Sequence, residues 1–304
     1  MRKEHIKFST WLEMEKHEGI FAFILVLPTL LIVFGLFIYP LAYSLVLSFT
    51  DTDLKKVGVN FIAFKNYVDI FKDPELVSSF WKTIYFTVLS VGLEMVIGTL
   101  IAVAFNKEFK GRAVSRSIIL IPWAIPPVVN GIIWNWLVHS KIGVLNYLLK
   151  SIGIIDTYKP WLADAGWALN IVVLADVWKW TPLVVLLILA GLQAIPESLY
   201  EAARVDGVGP VKIFFFITLP LLAWPMLVTL LLRTVEAVRV FDIIFIMTRG
   251  GPANATKLTT YYVYEYAFKY HKLGFASALA YIVTVIIIVF LIIYLKMINR
   301  KVEY

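Results

Sequence analysis

Five ionisable residues sit inside otherwise apolar stretches of this chain: Glu94, Asp176, Lys179, Arg233 and Glu236. A charge in hydrocarbon is costly, so such residues face a protein interior or a watery path and pair with one another. Asp176 and Lys179 are three apart, as are Arg233 and Glu236, so each pair shares a helix face and is a candidate ion pair. The same groups could bind a solute, because carboxylates and guanidinium groups suit polyol hydroxyls and tryptophan rings stack on sugar faces. A transporter driven by protons or sodium would use the carboxylates differently, but it usually brings inverted repeats and matched broken helices, and no such symmetry is visible. Catalysis is poorly provided for. There is no Cys, and His5, His17, His139 and His271 are scattered, so neither a thiolate nucleophile nor a metal site is expected. Asp51 and Asp53 fall in a polar loop and read as solvated, while Asn130 and Asn135 could bond between helices or to a sugar.

What must position these groups is a set of membrane helices. Of 304 residues, 60% are hydrophobic and 16% charged. A soluble domain has about 45–50% apolar and about 25% charged residues, so the solvent is a bilayer and a disordered chain is excluded. The net charge of +7 fits an anionic membrane surface or the positive-inside bias. The basic residues are not gathered into one tract, which argues against nucleic acid. Runs of about 20 apolar residues predict an all-α integral membrane protein with six spans, over 20–41, 83–105, 117–138, 168–189, 213–232 and 273–295. Pro122, Pro126 and Pro127 fall in the third and are expected to kink it. The first apolar stretch is too long for a cleaved leader. Lys107, Lys110, Arg112 and Arg116 fill one short loop, and further Lys and Arg lie near both ends, which predicts cytoplasmic termini. The domain reading is a cytoplasmic segment 1–19, with a short interfacial helix, a transmembrane domain 20–296 and a tail 297–304.

The loop 190–220 carries the most information. Pro196 suits a first helical turn, Glu197 suits the positive end of the helix dipole, and Gly207 suits a left-handed stop. A helix of about 11 residues, roughly 16 Å long, is predicted between them. Leu199, Ala202, Ala203 and Val205 would form its small apolar face. A short, rigid, capped helix between two spans can dock into another protein and transmit force.

The residues then become specific. Glu201-Ala202-Ala203 is followed at matching spacings by Gly207 and by Ile217-Thr218-Leu219-Pro220. This pattern resembles the E-A-A, three residues, G, nine residues, I-x-L-P signature of permeases in binding-protein-dependent ABC importers. The stretches Trp178 to Pro182, Phe241-Asp242 and Thr248 to Thr256, with Gly250-Gly251-Pro252 inside the last, are similar to its carbohydrate-uptake branch, the MalF/UgpA-like permeases. The likeness covers about residues 20–296 and favours the compact six-span members.

The resemblance implies the type I (MetI-like) permease fold in a prokaryotic cell membrane. It also implies a heterodimer with a second permease subunit, two ATPase subunits and an extracytoplasmic solute-binding protein that delivers sugar. Glu201, Ala202, Ala203, Arg204, Asp206 and Gly207 would couple the path to the ATPase. Family positions that contact sugar fall on Trp123, Asp176, Lys179, Trp180, Leu183, Arg233, Glu236, Ala237 and Val240. This chain would bind no cofactor, ATP and Mg being used by the partner ATPase; it has no G-x-x-x-x-G-K-[ST] motif. A non-sugar solute such as glycerol 3-phosphate is the alternative within the family.

Overall fold

The computed structural model describes residues 8–299, with side chains for residues 20–296. The described residues are helices joined by loops, and their one β-pairing is a lone bridge between Thr50 and Phe61. Four helices are long and apolar enough to cross a bilayer: Ile20–Ser48, Pro74–Asn106, Ala168–Gln193 and Leu273–Lys296. Two bent pairs complete up to six crossings: Arg112–Ala124 with Pro127–Leu137, and Pro210–Leu221 with Ala223–Val238. In chain order these are spans one to six.

The bend in span three is 96°, a break where a kink was expected. Its cause is local. A residue before proline is pushed out of the helical region, and proline has no N–H to donate. Ile125 precedes Pro126, Pro126 precedes Pro127, and both adopt extended backbone, with ψ 131° and 143°. Span five bends by 66° near Leu222, between Pro220 and Pro225, each of which removes one helical hydrogen bond.

Other boundaries also moved. Span two begins at Pro74 and has 33 residues, nine residues before its predicted start at Thr83. Asp73 caps it, accepting from Glu75 N at 2.9 Å and Leu76 N at 3.4 Å. The helix leading into span one starts at Phe8 and runs on to Ile32, so residues 8–19 continue the span and form no separate interfacial helix. Residues 1–7 and 300–304 of the predicted terminal segments lie outside the described residues.

Spans two and four pack most extensively. Small residues permit it: a Cβ on Gly98 would lie 2.6 Å from Val184 Cγ1, and one on Gly191 2.6 Å from a side-chain carbon of Pro225 in span five. Span five lies against spans two, four and six. Span one reaches the bundle through Tyr39–Ser48, which lies on span six. From Ile20 to Ile38 its large apolar side chains are mostly exposed, a face suited to lipid or another subunit.

The loops separate to two ends. At one end the residues after span two meet the loop between spans four and five. At the other, Lys65–Lys72 and Val144–Ser151 form short helices. There Asn146 accepts from Trp161 Nε1 at 2.8 Å, and Asn254 bonds to Glu75 at 3.1 Å. Asp51 accepts from Asn60 N at 2.7 Å and Nδ2 at 3.0 Å. Those bonds hold its carboxyl below the ordinary carboxylate range.

Candidate solute path and coupling loop

Three spans each bring one charge to a common point. Glu94 comes from span two, Asp176 from span four and Arg233 from span five. Arg233 Nε donates to Glu94 Oε2 at 2.6 Å, and Nη2 donates to Glu94 Oε1 at 2.9 Å and Asp176 Oδ2 at 3.2 Å. Ser90 Oγ lies 2.5 Å from Asp176 Oδ2 and 3.0 Å from Glu94 Oε1, sharing its one hydrogen between them. All four residues are buried. A bidentate guanidinium–carboxylate pair satisfies several donors and acceptors at once, which makes burial of these charges tolerable. The guanidinium also lies 4.4 Å above the Trp180 ring. Its Nη1 has no hydrogen-bond partner among the described residues.

These ion pairs cross between helices. The pairs expected along one helix, Asp176 with Lys179 and Arg233 with Glu236, are not among the salt bridges of the described residues. Lys179 has a different task. Its Nζ donates to the carbonyl of Trp123 at 3.2 Å and to that of Ile125. These are carbonyls left without helical donors by the break at Pro126, and a cation suits the negative end of a helix. Asn130 Nδ2 donates to Ala175 O at 3.2 Å, and Asn135 Nδ2 to Ile246 O at 3.2 Å, so both asparagines bond between helices.

Lys179→Met is expected to remove both hydrogen bonds to these carbonyls, at about 0.5–1.5 kcal/mol for each bond lost. The thermal unfolding midpoint in detergent should fall, and a cysteine at position 123 should react faster with a thiol reagent. Lys179→Arg should restore both readings.

Beside the ionic cluster is a hollow of about 420 Å³ lined by Trp123, Trp180, Leu183, Leu231, Leu232, Arg233, Val235 and Glu236. It lies near the middle of span four and is open at the side, where Trp123 and Glu236 are exposed. Of the nine positions named for the path, five line it: Trp123, Trp180, Leu183, Arg233 and Glu236. Asp176 and Ala237 are buried in the helix packing, 2% and 1% exposed. Lys179 is occupied at the break. Val240 accepts from Thr260 Oγ1 at 2.6 Å and packs on the core. The sequence reading named Glu94 without its partner and missed Ser90. A signal was present, since Thr83, Thr87, Ser90 and Glu94 recur every three or four residues and all are buried, a polar stripe on one helix face.

The coupling segment folds as Glu197–Val205, nine residues long, with Pro196 as N-cap, one position before the expected first turn. Gly207 has φ +72°. Gly207 N donates to Arg204 O at 3.1 Å and Val208 N to Ala203 O at 2.9 Å, the paired bonds of a Schellman stop. Of the expected apolar face only Ala203 is buried; Leu199 is 42% and Val205 87% exposed. Glu201, Ala202, Arg204 and Asp206 are exposed as well, with Arg204 paired to Glu197. The helix borders a second hollow, of about 1070 Å³, which it shares with Asn106 and Lys107 at the end of span two and Arg112 at the start of span three.

Comparison with known proteins adds to this geometry. The sequence profile of the family described as binding-protein-dependent transport system inner membrane component matches residues 94–304. The trehalose/maltose transport system permease protein MalF of Thermococcus litoralis is 36% identical over 284 residues, which cover 93% of this chain and 95% of that one. The sulfoquinovosyl glycerol transport system permease protein SmoG of Agrobacterium fabrum is 34% identical over 300 residues, covering 98% and 96%. The sn-glycerol-3-phosphate transport system permease protein UgpA of Yersinia pestis is 31% identical over 283 residues, covering 93% and 95%. Among solved structures, a chain of a bacterial ABC transporter that imports the acidic polysaccharide alginate superposes with a TM-score of 0.80 at 23% identity, covering 97% of this chain and 100% of that one. At that identity the likeness is one of fold.

Proposed function

Because this chain belongs to the family of binding-protein-dependent transport system inner membrane components, we propose that it is one of two permease subunits of an ATP-driven sugar importer. The relatives named above transport trehalose and maltose, a sulfoquinovosyl glycerol and glycerol 3-phosphate. Two of the three carry a sugar ring, and the aromatic hollow suits one. Glycerol 3-phosphate is the second reading, supported by the UgpA relatives.

One observation carries the proposal. The helix between spans four and five is capped at a glycine and exposes all its signature residues except Ala203. Its two flanking spans supply Trp180, Leu183, Arg233 and Glu236 to the hollow. Movement imposed on the loop would reach the solute path through rigid elements. Glu201, Ala202, Arg204, Asp206 and Gly207 would seat the helix on a separate ATPase, with Ala203 fixing it to its own chain. The side opening of the hollow would be closed by the second permease subunit. An extracytoplasmic binding protein would deliver solute to the end carrying residues 249–272, and both termini would be cytoplasmic. ATP and Mg would belong to the ATPase subunits, and this chain would hold no cofactor and perform no catalytic step.

Mild-detergent purification of tagged chain from native membranes, followed by mass spectrometry, tests the assembly. A second six-span permease and a P-loop ATPase are the expected companions. Reproducible recovery of this chain alone, from membranes where such an ATPase is expressed, would sink the proposal.

A further inference from the structure

Charge near the coupling loop is one-sided. Lys107, Lys110, Arg112 and Arg116 fall within ten residues, with Glu108 the one acid among them. None of the four cations makes an ion pair among the described residues. Arg112 and Arg116 stand about one turn apart on one face of the helix Arg112–Ile119, where like charges repel. Arg116 Nη2 donates to Phe105 O at 2.7 Å, one of the last carbonyls of span two. Nε of each arginine is buried without an acceptor among the described residues, so nothing there neutralises either charge. The opposite face of this helix is apolar and open, with Val114 62% and Ile118 58% exposed. Such a face suits hydrocarbon, which sets the arginines at headgroup depth. Beside Arg116 a groove of about 180 Å³ runs along span four, with Phe105, Ile119, Leu186, Leu189 and Gln193 in its walls. Pro182, Leu186, Leu189 and Gln193 lie roughly a third of a turn round span four from Trp180 and Leu183, so this groove faces a different side from the aromatic hollow. Gln193 and Arg112 also border the larger hollow at the coupling helix.

We propose that this groove binds an anionic phospholipid, with part of an acyl chain along Phe105, Ile119 and Leu189 and the phosphate at Arg112 and Arg116. The inference needs only that the chain spans a bilayer and is independent of the solute. Charge complementarity selects the occupant. A free anion would leave the apolar groove unfilled, and a zwitterionic lipid would bring a further cation to a surface that already carries four. A lipid with a net negative headgroup meets both demands. Its phosphate offsets the repulsion between Arg112 and Arg116, accepts charge-assisted hydrogen bonds from guanidinium, and stands near the positive end of the helix Arg112–Ile119. Lys107 and Lys110 add to the attraction. The bound lipid would touch the end of span two, the start of span three and the end of span four, the segments that wall the coupling hollow on its membrane side.

The test uses the complex purified with its co-purifying subunits in mild detergent. Native mass spectrometry follows its retention of phosphatidylglycerol and phosphatidylcholine, supplied in equal amounts with the same acyl chains. Wild type is expected to retain the anionic lipid about tenfold over the zwitterionic one, as several basic residues at an anionic headgroup allow. Arg112→Gln, which spares the bond from Arg116 to Phe105, should lower that ratio about fivefold, the weight of one basic residue. Lys150→Gln, at the opposite end of the molecule, should leave it unchanged. Leu186→Trp fills the groove, keeps every charge, and should lower retention of phosphatidylglycerol. A photoreactive residue at position 186, irradiated in native membranes, should capture phospholipid. Equal retention of the two lipids by wild type would overturn the inference, as would an unchanged ratio in Arg112→Gln, an equal loss in Lys150→Gln or full retention in Leu186→Trp. Capture of a second permease subunit from position 186 would also overturn it, while leaving the importer assignment intact.

Discussion

Gly207→Asp is expected to leave the chain inserted at normal abundance while lowering solute uptake at least tenfold. The fold tolerates the change. Apart from its two chain neighbours, nothing lies within 4 Å of a Cβ built on Gly207, so the cost is conformational. Holding a residue with a side chain at φ +72° costs about 1–2 kcal/mol, and aspartate is among the residues that visit this region most readily. Such a loss does not unfold a bundle held by buried interspan ion pairs. The damage falls on the outer face, where the new carboxylate stands beside Asp206 on a surface we assign to the ATPase. A tenfold loss corresponds to only about 1.4 kcal/mol of docking free energy, a modest demand for a misplaced charge at an interface. Gly153 supplies the control. It has φ +73° and equally open space, but lies at the opposite end of the molecule, so Gly153→Asp should carry similar backbone strain without loss of uptake. Glu201→Ala should behave like Gly207→Asp. Radiolabelled sugar uptake, normalised to membrane abundance by immunoblot, decides the matter: full uptake by Gly207→Asp, or equal loss in Gly153→Asp, would rule out the docking role.

The contrast between the coupling loop and the ionic cluster explains what the sequence could and could not convey. The loop is governed by local rules. A glycine stop, a neighbouring proline and an acidic first turn act within a few residues, so the helix and its left-handed cap were legible with an error of one position at Pro196. The spans were legible because apolar length is local too, although Pro74 starts its helix earlier than hydropathy implied, capped by Asp73. Pro126 and Pro127 announced a disturbance, but its 96° amplitude comes from two successive residues forced into extended backbone. Lys179 turns away from Asp176 because that break presents bare carbonyls, a competitor that no i,i+3 spacing records. Arg233 finds Glu94 at a separation of 139 residues, and pairing at that distance depends on how whole helices pack. Small residues at Gly98 and Gly191 permit this packing, yet a glycine in a helix does not name the neighbour it approaches.

That long-range pairing yields the largest expected effect on stability. Arg233→Met keeps the aliphatic stem and most of the volume while removing the guanidinium. Glu94, fully buried, then loses two donors, and Asp176 loses one. Breaking a buried pair from one side costs about 3–5 kcal/mol, because the remaining charge is stranded in a poorly polarisable interior. Two carboxylates are stranded here, joined by the single hydrogen of Ser90, which places the loss toward the upper part of that range. The reverse truncation is less damaging. Glu94→Gln leaves Arg233 with Asp176 and an amide oxygen as acceptors. If electrostatics causes the loss, Arg233→Met combined with Glu94→Gln and Asp176→Asn should recover more than half of it, since an uncharged cluster no longer carries the desolvation penalty of ions. Thermal unfolding midpoints of the three proteins in one detergent measure the recovery. If the combined variant is no more stable than Arg233→Met, the cluster acts through shape and volume, and spans two, four and five are joined by packing alone. Recovered stability without recovered uptake would instead show that the charges, once dispensable for folding, serve transport through the hollow beside them.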